Sequence, residues 1–122
     1  MSSVDQRVFA VYLGGYAPRC NVELHDMVFA VGESIEALYP ALVEKWFLPS
    51  YDRLHYDGYQ QLDIVDGHQV TLSDKPSKDD KKLFYIYLGG YAQHELNELH
   101  KNCFIVDTDA TAAKNRARES WL

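Results

Sequence analysis

The stretch YLGGYA at residues 12–17, followed by ELH at residues 23–25, decides the fold, because the chain contains both stretches twice. The second copies begin at Tyr87 and Glu98, at a constant offset of 75 residues. When residues 8–47 are aligned with residues 83–122 without a gap, 15 of the 40 positions are identical. Similarity at one fixed offset indicates a duplicated structural unit. We therefore predict two pseudo-symmetric repeats.

The length of the chain bounds its domain organisation. A chain of 122 residues has the usual size of one domain, and a unit of about 40 residues is marginally stable alone. We therefore predict a single domain over residues 1–122. In it, repeats 8–47 and 83–122 share a core and are joined by the unique segment 48–82.

Composition and charge exclude several classes of protein. Apolar residues make up 47% of the chain, which is typical of a globular protein. The net charge of −6 opposes binding to nucleic acid or to an anionic membrane, since both require a basic face. Cys20 and Cys103 are not equivalent in the repeat alignment, so a disulfide-built secreted domain is not expected. Because no apolar run has the length of a signal peptide or a membrane span, we predict a cytoplasmic protein without a membrane partner.

Each repeat begins with two predicted strands. Val8 to Leu13 is rich in β-branched and aromatic residues and is expected to stop at Gly14-Gly15. It is apolar on both faces, so it should lie in the centre of a sheet or be covered by a partner subunit, and we predict a homodimer. Met27 to Val31 is the second strand, antiparallel to the first because no helix-length crossover separates them.

A helix is predicted after each pair of strands. Ser34 is a candidate N-cap, and the apolar residues from Ile35 to Phe47 follow helical spacing. Pro40 lies inside this pattern and should kink the helix or mark a restart. The second helix is predicted from Ala110 to Trp121, with a cap at residues 107–109.

The unique segment is predicted to contain a β-hairpin. The strands Gln61 to Val65 and His68 to Leu72 flank the turn Asp66-Gly67, with Leu62, Ile64, Val70 and Leu72 on one face. The polar residues 73–82 then connect the halves. The resulting order, ββα, ββ and ββα, predicts an α+β fold: an antiparallel sheet built from the two repeats and the central hairpin, with two helices packed on it.

Several runs together resemble one known family, the bacterial domain of unknown function 1543 family. These are VYLGGY at 11–16, NxELHD at 21–26, FxVGESIE at 29–36, YPxL at 39–42 leading to Trp46-Phe47, LHxD at 54–57 and VDG at 65–67. The resemblance implies a small, soluble bacterial protein and carries no assigned activity. The second copy departs from the pattern: Lys101 replaces Asp26, Asp107 replaces Gly32, and Lys114-Asn115 replaces Tyr39-Pro40. These departures imply that two sites, if present, would not be equivalent.

Glu23 with His25 and Glu98 with His100 are the candidate catalytic residues. In an extended segment, two residues that are two positions apart lie on one face, which for Glu23 and His25 is shared with Met27, Phe29 and Val31. One interpretation is an acid/base or metal pair in which Glu orients His. The other is a buried, hydrogen-bonded pair that ties the Gly-Gly-Tyr loop to the strand.

A metal ion held by both pairs is a further hypothesis. If a pseudo-twofold axis made the pairs face each other, two imidazoles and two carboxylates would suit zinc. The spacing gives no evidence that the pairs meet. His94-Glu95 also lacks the second histidine of a zinc-protease helix, where the chain has Glu98. We therefore predict neither a metal site nor a cofactor.

The candidate ligand-binding residues are those of the two Gly-Gly-Tyr stretches: Gly14, Gly15, Tyr16, Gly89, Gly90 and Tyr91. The glycines could offer backbone N–H groups to an anion, or they could simply form a tight strand exit. The tyrosines could wall a pocket or pack on the sheet. Cys20 is discounted as a nucleophile because the second copy has no cysteine there. His55 and Asp57 lie in a tyrosine-rich run that could cover a cleft between the halves.

Two functions remain open from the sequence. The favoured one is a non-enzymatic module that binds a small molecule or a protein through the paired loop sites. The alternative is a small hydrolase or isomerase, with or without a metal, in which His25 or His100 is the general base and the neighbouring Glu orients it. No complete catalytic constellation is present, so the first is preferred.

Overall fold

The computed structural model describes residues 5–49 and 54–121. The fold is α+β, with antiparallel strands and two α-helices, as predicted. The prediction of one sheet made from both repeats and the hairpin is wrong, since the strands in residues 5–49 and 54–121 form three separate sheets. The chain divides into two compact units. Unit 1 contains Met1–Asp63 and Val70–Leu72, and unit 2 contains Ile64–Gln69 and Ser73–Leu122. The predicted single domain stays a prediction.

Unit 1 is built on a three-stranded antiparallel sheet. Its strands are β1 (Arg7–Gly15), β2 (Leu24–Gly32) and β3 (His55–Gln61), in the order β2-β1-β3. The first strand is therefore central, as its two apolar faces predicted, and the second is antiparallel to it, also as predicted. One face of this sheet carries the helix and the core. The core side chains are those of Phe9, Val11, Leu13, Val28, Ala30, Leu38, Leu42, Trp46 and Leu54.

The helix of unit 1 starts twice. A 3-10 turn, Glu36–Leu38, follows Ser34, whose Oγ accepts a hydrogen bond from the N–H of Ala37 at 3.3 Å. Helix α1 (Tyr39–Lys45) then begins with Pro40 in its first turn, where the missing N–H has no cost. The restart expected at Pro40 is confirmed. The expected continuation to Phe47 is wrong, because the helix ends at Lys45 and Trp46 has an extended backbone.

Strand β1 ends at the glycine pair, as predicted, but it includes both glycines and its last residue is Gly15 and not Leu13. Neither residue has a positive φ. Both are needed for space: a Cβ on Gly15 would lie 2.8 Å from Cζ2 of Trp46. The glycines therefore allow close packing on both faces of the strand.

Strand β3 was not predicted. Its sequence, HYDGYQQ, is polar and contains a glycine, and it lies at the edge of the sheet, where apolar alternation is not required. The predicted hairpin is correspondingly shorter, with β4 (Ile64–Val65) and β5 (His68–Gln69). Its predicted apolar face is wrong, since Leu62 is 2% exposed and Ile64 is 72% exposed.

Unit 2 contains the antiparallel strands β6 (Lys82–Gly90) and β7 (Leu99–Asp107), and helix α2 (Ala110–Trp121). The helix bounds agree with the prediction, and Asp109 Oδ1 caps the helix by accepting from the N–H of Ala112 at 2.8 Å. The small core of unit 2 contains Ile86, Ile105, Ala113 and Ala117.

One carboxylate of the β4–β5 hairpin binds two other elements of unit 2. Asp66 and Gly67 have positive φ values of 52° and 74°, as a type I′ turn requires. Asp66 accepts the N–H of Val106 at 3.0 Å and pairs with Arg116 at 2.8 Å. The turn residue thus joins the hairpin to both β7 and α2.

None of the helices in residues 5–49 and 54–121 has the length and apolar character needed to cross a membrane.

Candidate metal centre

The centre of the candidate site is a glycine with a histidine on each side. Gly14 of β1 pairs with His25 of β2 and with His55 of β3. Cross-strand neighbours point to the same face of a sheet. Two imidazoles are therefore brought to the same place on the sheet face opposite the one that carries Leu13 and Trp46.

Two carboxylates complete the cluster. Nε2 of His25 lies 2.6 Å from Oε1 of Glu23 and 2.6 Å from Oδ2 of Asp57. Nε2 of His55 lies 2.7 Å from Oε2 of Glu23 and 2.9 Å from Oδ1 of Asp57. Each carboxylate therefore uses one oxygen for each imidazole, and the four side chains form a closed ring.

The space for this ring comes from the missing side chain of Gly14. A Cβ there would lie 2.5 Å from Oδ2 of Asp57 and 2.9 Å from both Oε1 of Glu23 and Nε2 of His55. Any other residue at this position would push the cluster apart. Tyr12 supports the cluster from the side, since its ring stacks on that of His25 at 4.9 Å with an interplanar angle of 1°.

Asp57 reaches the cluster through a β-bulge. His55 and Tyr56 pair with Gly14 and Leu13, but the register then shifts, so that Gly58 is the residue opposite Tyr12. Asp57 is the extra residue of the bulge. Bulges redirect side chains and are frequent beside functional sites.

The cluster is partly open to solvent. The side chains of Glu23 and His25 are 22% and 32% exposed. The core residues of β2 are Val28 and Ala30, so Glu23 and His25 do not share a face with the core. The interpretation of a buried pair is therefore not supported, because both side chains are partly exposed.

Unit 2 contains half of the same arrangement. Gly89 pairs with His100, whose Nε2 lies 3.0 Å from Oε1 of Glu98. The ring of Tyr87 stacks on that of His100 at 4.7 Å. A Cβ on Gly89 would lie 2.8 Å from Cδ of Glu98. In the part of the chain that the structure describes, β7 is the only strand paired with β6, so this half has no counterpart of His55 and Asp57.

The second glycine of each pair contacts a tryptophan. Gly90 faces the ring of Trp121, to which a Cβ would approach within 3.1 Å, as Gly15 faces Trp46. Beside Trp121 is a cavity of ≈500 Å³. It is lined by Leu88, Gly89, Gly90, Tyr91, Leu99, Arg118 and Trp121. The predicted ligand-binding role of Gly14, Gly15, Tyr16, Gly89, Gly90 and Tyr91 stays a prediction.

The thiol of Cys20 is hydrogen-bonded within its own turn. Its Sγ donates to the carbonyl oxygen of Ala17 at 2.9 Å and lies 3.2 Å from the nitrogen of Ala17. Burial raises the pKa of the other thiol, Cys103, which opposes formation of a thiolate there. Neither cysteine has the environment of an activated nucleophile.

Sequence reasoning identified two of the four residues in this cluster as candidates. Glu23 and His25 do come together, and so do Glu98 and His100, although the two pairs belong to different units. His55 and Asp57 were not assigned to the site. Their spacing of two residues, the same as that of Glu23 and His25, was the signal that could have found them.

Three residues of the cluster are arranged so that they could hold a metal ion. Glu23, His25 and Asp57 each offer one ligand atom, and these atoms lie within 4.8 Å of one another. Imidazole and carboxylate ligands suit zinc and other divalent first-row metals. His55 contacts the remaining oxygens of both carboxylates, as residues that orient metal ligands do.

The sheet, the helix on one face and the histidine–carboxylate cluster on the other define a small α+β domain with a candidate metal centre. The family DUF1543, Domain of Unknown Function, matches residues 20–72, a range that includes all four cluster residues. The crystal structure of a protein Il1583 from Idiomarina loihiensis is similar, with a TM-score of 0.74 and 34% identity over 95% of this chain and 72% of that chain. The chain belongs to the DUF1543 family. The comparison with curated proteins gives no match.

Proposed function

We propose that the protein binds one divalent transition-metal ion in unit 1, with Glu23, His25 and Asp57 as ligands and His55 as the residue that orients the two carboxylates. The observation that carries this proposal is the ring of four contacts of 2.6–2.9 Å between two imidazole nitrogens and two carboxylates. The proposal reverses the sequence-based expectation of no metal.

The proton count favours an ion over a purely hydrogen-bonded cluster. Each Nε2 carries at most one proton, yet each lies within hydrogen-bond distance of two carboxylates. The two carboxylate groups bring a formal charge of −2 into a partly exposed site. A divalent cation neutralises this charge and accepts the lone pair of His25.

The two contacts of His25 require only a small adjustment. Neighbouring ligand atoms of tetrahedral zinc, with bonds of about 2.0–2.1 Å, are about 3.3 Å apart. The contacts of His25, at 2.6 Å, therefore widen by somewhat more than half an ångström when an ion enters. The partial exposure of the side chains permits this movement. Three protein ligands also leave one coordination position of the ion open to solvent, as in catalytic and ligand-binding metal sites.

The open coordination position is compatible with both functions that the sequence analysis allowed. In a ligand-binding module, an anionic or neutral donor of a small molecule would occupy it. In the hydrolase alternative, a metal-bound water would occupy it. The metal centre is common to both, and we propose the ligand-binding module because, among residues 5–49 and 54–121, the four ionic contacts of 2.6–2.9 Å in the cluster join only its own four side chains.

We also propose that the two units are structural repeats. Four local relationships recur at the offset of 75 residues. They are the glycine–histidine strand pair, the tyrosine stacked on that histidine, the glycine–tryptophan contact and a left-handed residue in the intervening turn. The left-handed residues are Arg19 and His94, with φ of 71° and 73°. These four shared relationships are expected if residues 8–47 and residues 83–122 have the same fold.

The metal proposal is tested by titration of the purified, chelator-treated chain. Zn²⁺ and Mn²⁺ are titrated by calorimetry, with Ca²⁺ as the hard-cation comparison, and the expected result is one equivalent of a first-row ion per chain. His25→Ala should abolish this binding. His55→Ala should weaken it by about 10–100-fold, the usual effect of losing a residue that orients metal ligands.

His100→Ala is the matched control. It removes a histidine with the same kind of stacked tyrosine and a neighbouring glutamate, but from a unit whose described residues bring no second imidazole and carboxylate to that pair. It should leave the affinity and the stoichiometry unchanged. Equal losses in His25→Ala and His100→Ala, or no binding to the native chain, would contradict the proposal.

A further inference from the structure

We infer that the cluster of unit 1 takes up a second divalent ion on the side of His55, and that this ion enters together with a small oxyanion that bridges the two ions. The inference rests on the proposed metal centre and deepens it. It makes His55 a ligand of the second ion, and it names phosphate and carboxylate groups as the class of ligand that the paired ions bind.

The first argument is the way in which the two carboxylates are shared. Oε1 of Glu23 lies 2.6 Å from Nε2 of His25, and Oε2 of the same carboxylate lies 2.7 Å from Nε2 of His55. Asp57 divides its oxygens in the same way, with Oδ2 at 2.6 Å from His25 and Oδ1 at 2.9 Å from His55. The cluster therefore contains two sets of three donors, each with one imidazole nitrogen and one oxygen from each carboxylate. Carboxylates and histidines also hold the paired ions of di-iron and di-manganese proteins.

The second argument is the proton count at His55. Nε2 of His55 carries at most one proton, yet it lies 2.7 and 2.9 Å from two carboxylate oxygens. A cation between these three atoms accepts the lone pair of His55 and satisfies both oxygens. Because neighbouring ligand atoms of a tetrahedral ion are about 3.3 Å apart, these two contacts widen by about 0.4–0.6 Å, less than those of His25. His55 thus orients the carboxylates when one ion is bound and becomes a ligand when two are bound.

The third argument is the position of the two donor sets on the sheet. His25 and His55 are both opposite Gly14, on the strands to either side of β1. The missing side chain of Gly14 lets both sets of donors meet above this one strand. Paired ions in two-metal sites are about 3.5–4 Å apart, a separation that the two oxygens of one bridging carboxylate can span. Glu23 and Asp57 are therefore both in place to bridge a pair of ions.

The charge of the centre explains why an oxyanion enters with the second ion. The first divalent ion neutralises the two carboxylates, so a second one leaves an excess of positive charge at the site. An oxyanion supplies the opposite charge and two oxygen donors, one for each ion. The side chain of His55 is 41% exposed and that of His25 is 32% exposed. The side of His55 is therefore the more open one for the entry of an ion and an oxyanion.

The test uses the purified, chelator-treated chain with Mn²⁺ and inorganic phosphate. Equilibrium dialysis gives the number of Mn²⁺ ions per chain. Electron paramagnetic resonance shows whether two ions are adjacent, because exchange coupling through bridging ligands changes the hyperfine pattern of Mn²⁺. At Mn²⁺ concentrations that just saturate the first site, we expect one ion without phosphate and two coupled ions with it. Phosphate should raise the affinity for the second ion by at least about fivefold, the lower end of the usual coupling between two ligands.

His55→Ala tests the ligand of the second ion. The variant should still bind one Mn²⁺, more weakly than the native chain, and this retained ion shows that the variant is folded. Phosphate should add neither a second ion nor a coupled spectrum. His100→Ala is the matched control, because His100 pairs with Glu98 in unit 2. It should bind a coupled pair as the native chain does.

The outcomes separate this inference from the proposed function. One ion per native chain with and without phosphate overturns the inference, while the metal proposal stands. Two ions without coupling overturn it as well, because the ions are then not adjacent, and so does a coupled pair that persists in His55→Ala. An affinity for the second ion that phosphate does not change also overturns it. No bound Mn²⁺ in either condition contradicts the metal proposal itself, and the inference with it.

Discussion

Gly14 and Asp57 are so close that a Cβ atom on the glycine would lie 2.5 Å from Oδ2 of the aspartate. The φ of Gly14 is not positive, so its backbone does not require a glycine. What requires it is the space above β1, which the four side chains of the cluster occupy. The glycine is therefore a part of the candidate site and not of a turn.

Gly14→Ala should weaken metal binding with little effect on the fold. The atoms that a Cβ would meet are the ends of flexible side chains, from Asp57, Glu23 and His55, and these can move aside. We expect the affinity for Zn²⁺ to fall by about tenfold or more. The free energy of unfolding without metal should change by less than about 1 kcal/mol. Calorimetric titration and urea unfolding measure the two quantities, and a metal affinity that does not change would contradict the assignment.

Gly15→Ala should have the opposite profile. Here the new Cβ would meet the ring of Trp46 at 2.8 Å, and that ring is buried in the core of unit 1. Overpacking of this kind costs about 1–3 kcal/mol. Urea unfolding monitored by tryptophan fluorescence would measure the loss. Gly58→Ala is the matched control, since a Cβ on Gly58 meets nothing within 4 Å; similar losses in both variants would show that the contact with Trp46 is not the cause.

The sequence predicted the elements whose signal is local. The first two strands, the restart at Pro40 and the helix from Ala110 to Trp121 all follow from apolar spacing, proline and capping residues. The DUF1543 resemblance also held. These features depend on residues close to one another in the chain.

The rest required long-range pairing. Strand β3 has a polar sequence, and it forms because the edge of β1 supplies backbone partners. The glycines were interpreted as a strand exit because single-sequence reasoning assigns glycine to turns, whereas here they make room for side chains from other strands. The four-residue site could not be assembled for the same reason: Glu23 and His25 meet His55 and Asp57 only through the central strand between them.

A metal ion should stabilise unit 1 by an amount set by the ratio of its concentration to its dissociation constant. An ion present at about 100 times its dissociation constant raises the free energy of unfolding by about 2.7 kcal/mol, provided that the unfolded chain does not bind it. Trp46 fluorescence in a Trp121→Phe background follows unit 1. Asp57→Asn should remove the stabilisation by Zn²⁺, whereas Asp80→Asn, in an exposed loop, should retain it. Equal stabilisation of both variants would place the ion outside the cluster.

The stability of unit 2 should depend on pH through Asp66. The hydrogen bond from the N–H of Val106, followed by that from Arg116, lowers the pKa of Asp66 below its ordinary value of 3.8. A carboxyl with a lower pKa in the folded state stabilises the fold fully above the unfolded pKa, and this contribution is lost as the pH falls through the folded pKa. Asp66→Asn should therefore reduce the free energy of urea unfolding at pH 7, and the difference in this free energy between the variant and the native chain should shrink as the pH falls below 3.8.

Exchange of the Val106 amide, measured by NMR, should become faster in the Asp66→Asn variant at pH 7, with Asp80→Asn as the control. A difference in unfolding free energy that is the same at pH 7 and well below the ordinary pKa would show that Asp66 does not act through its charge.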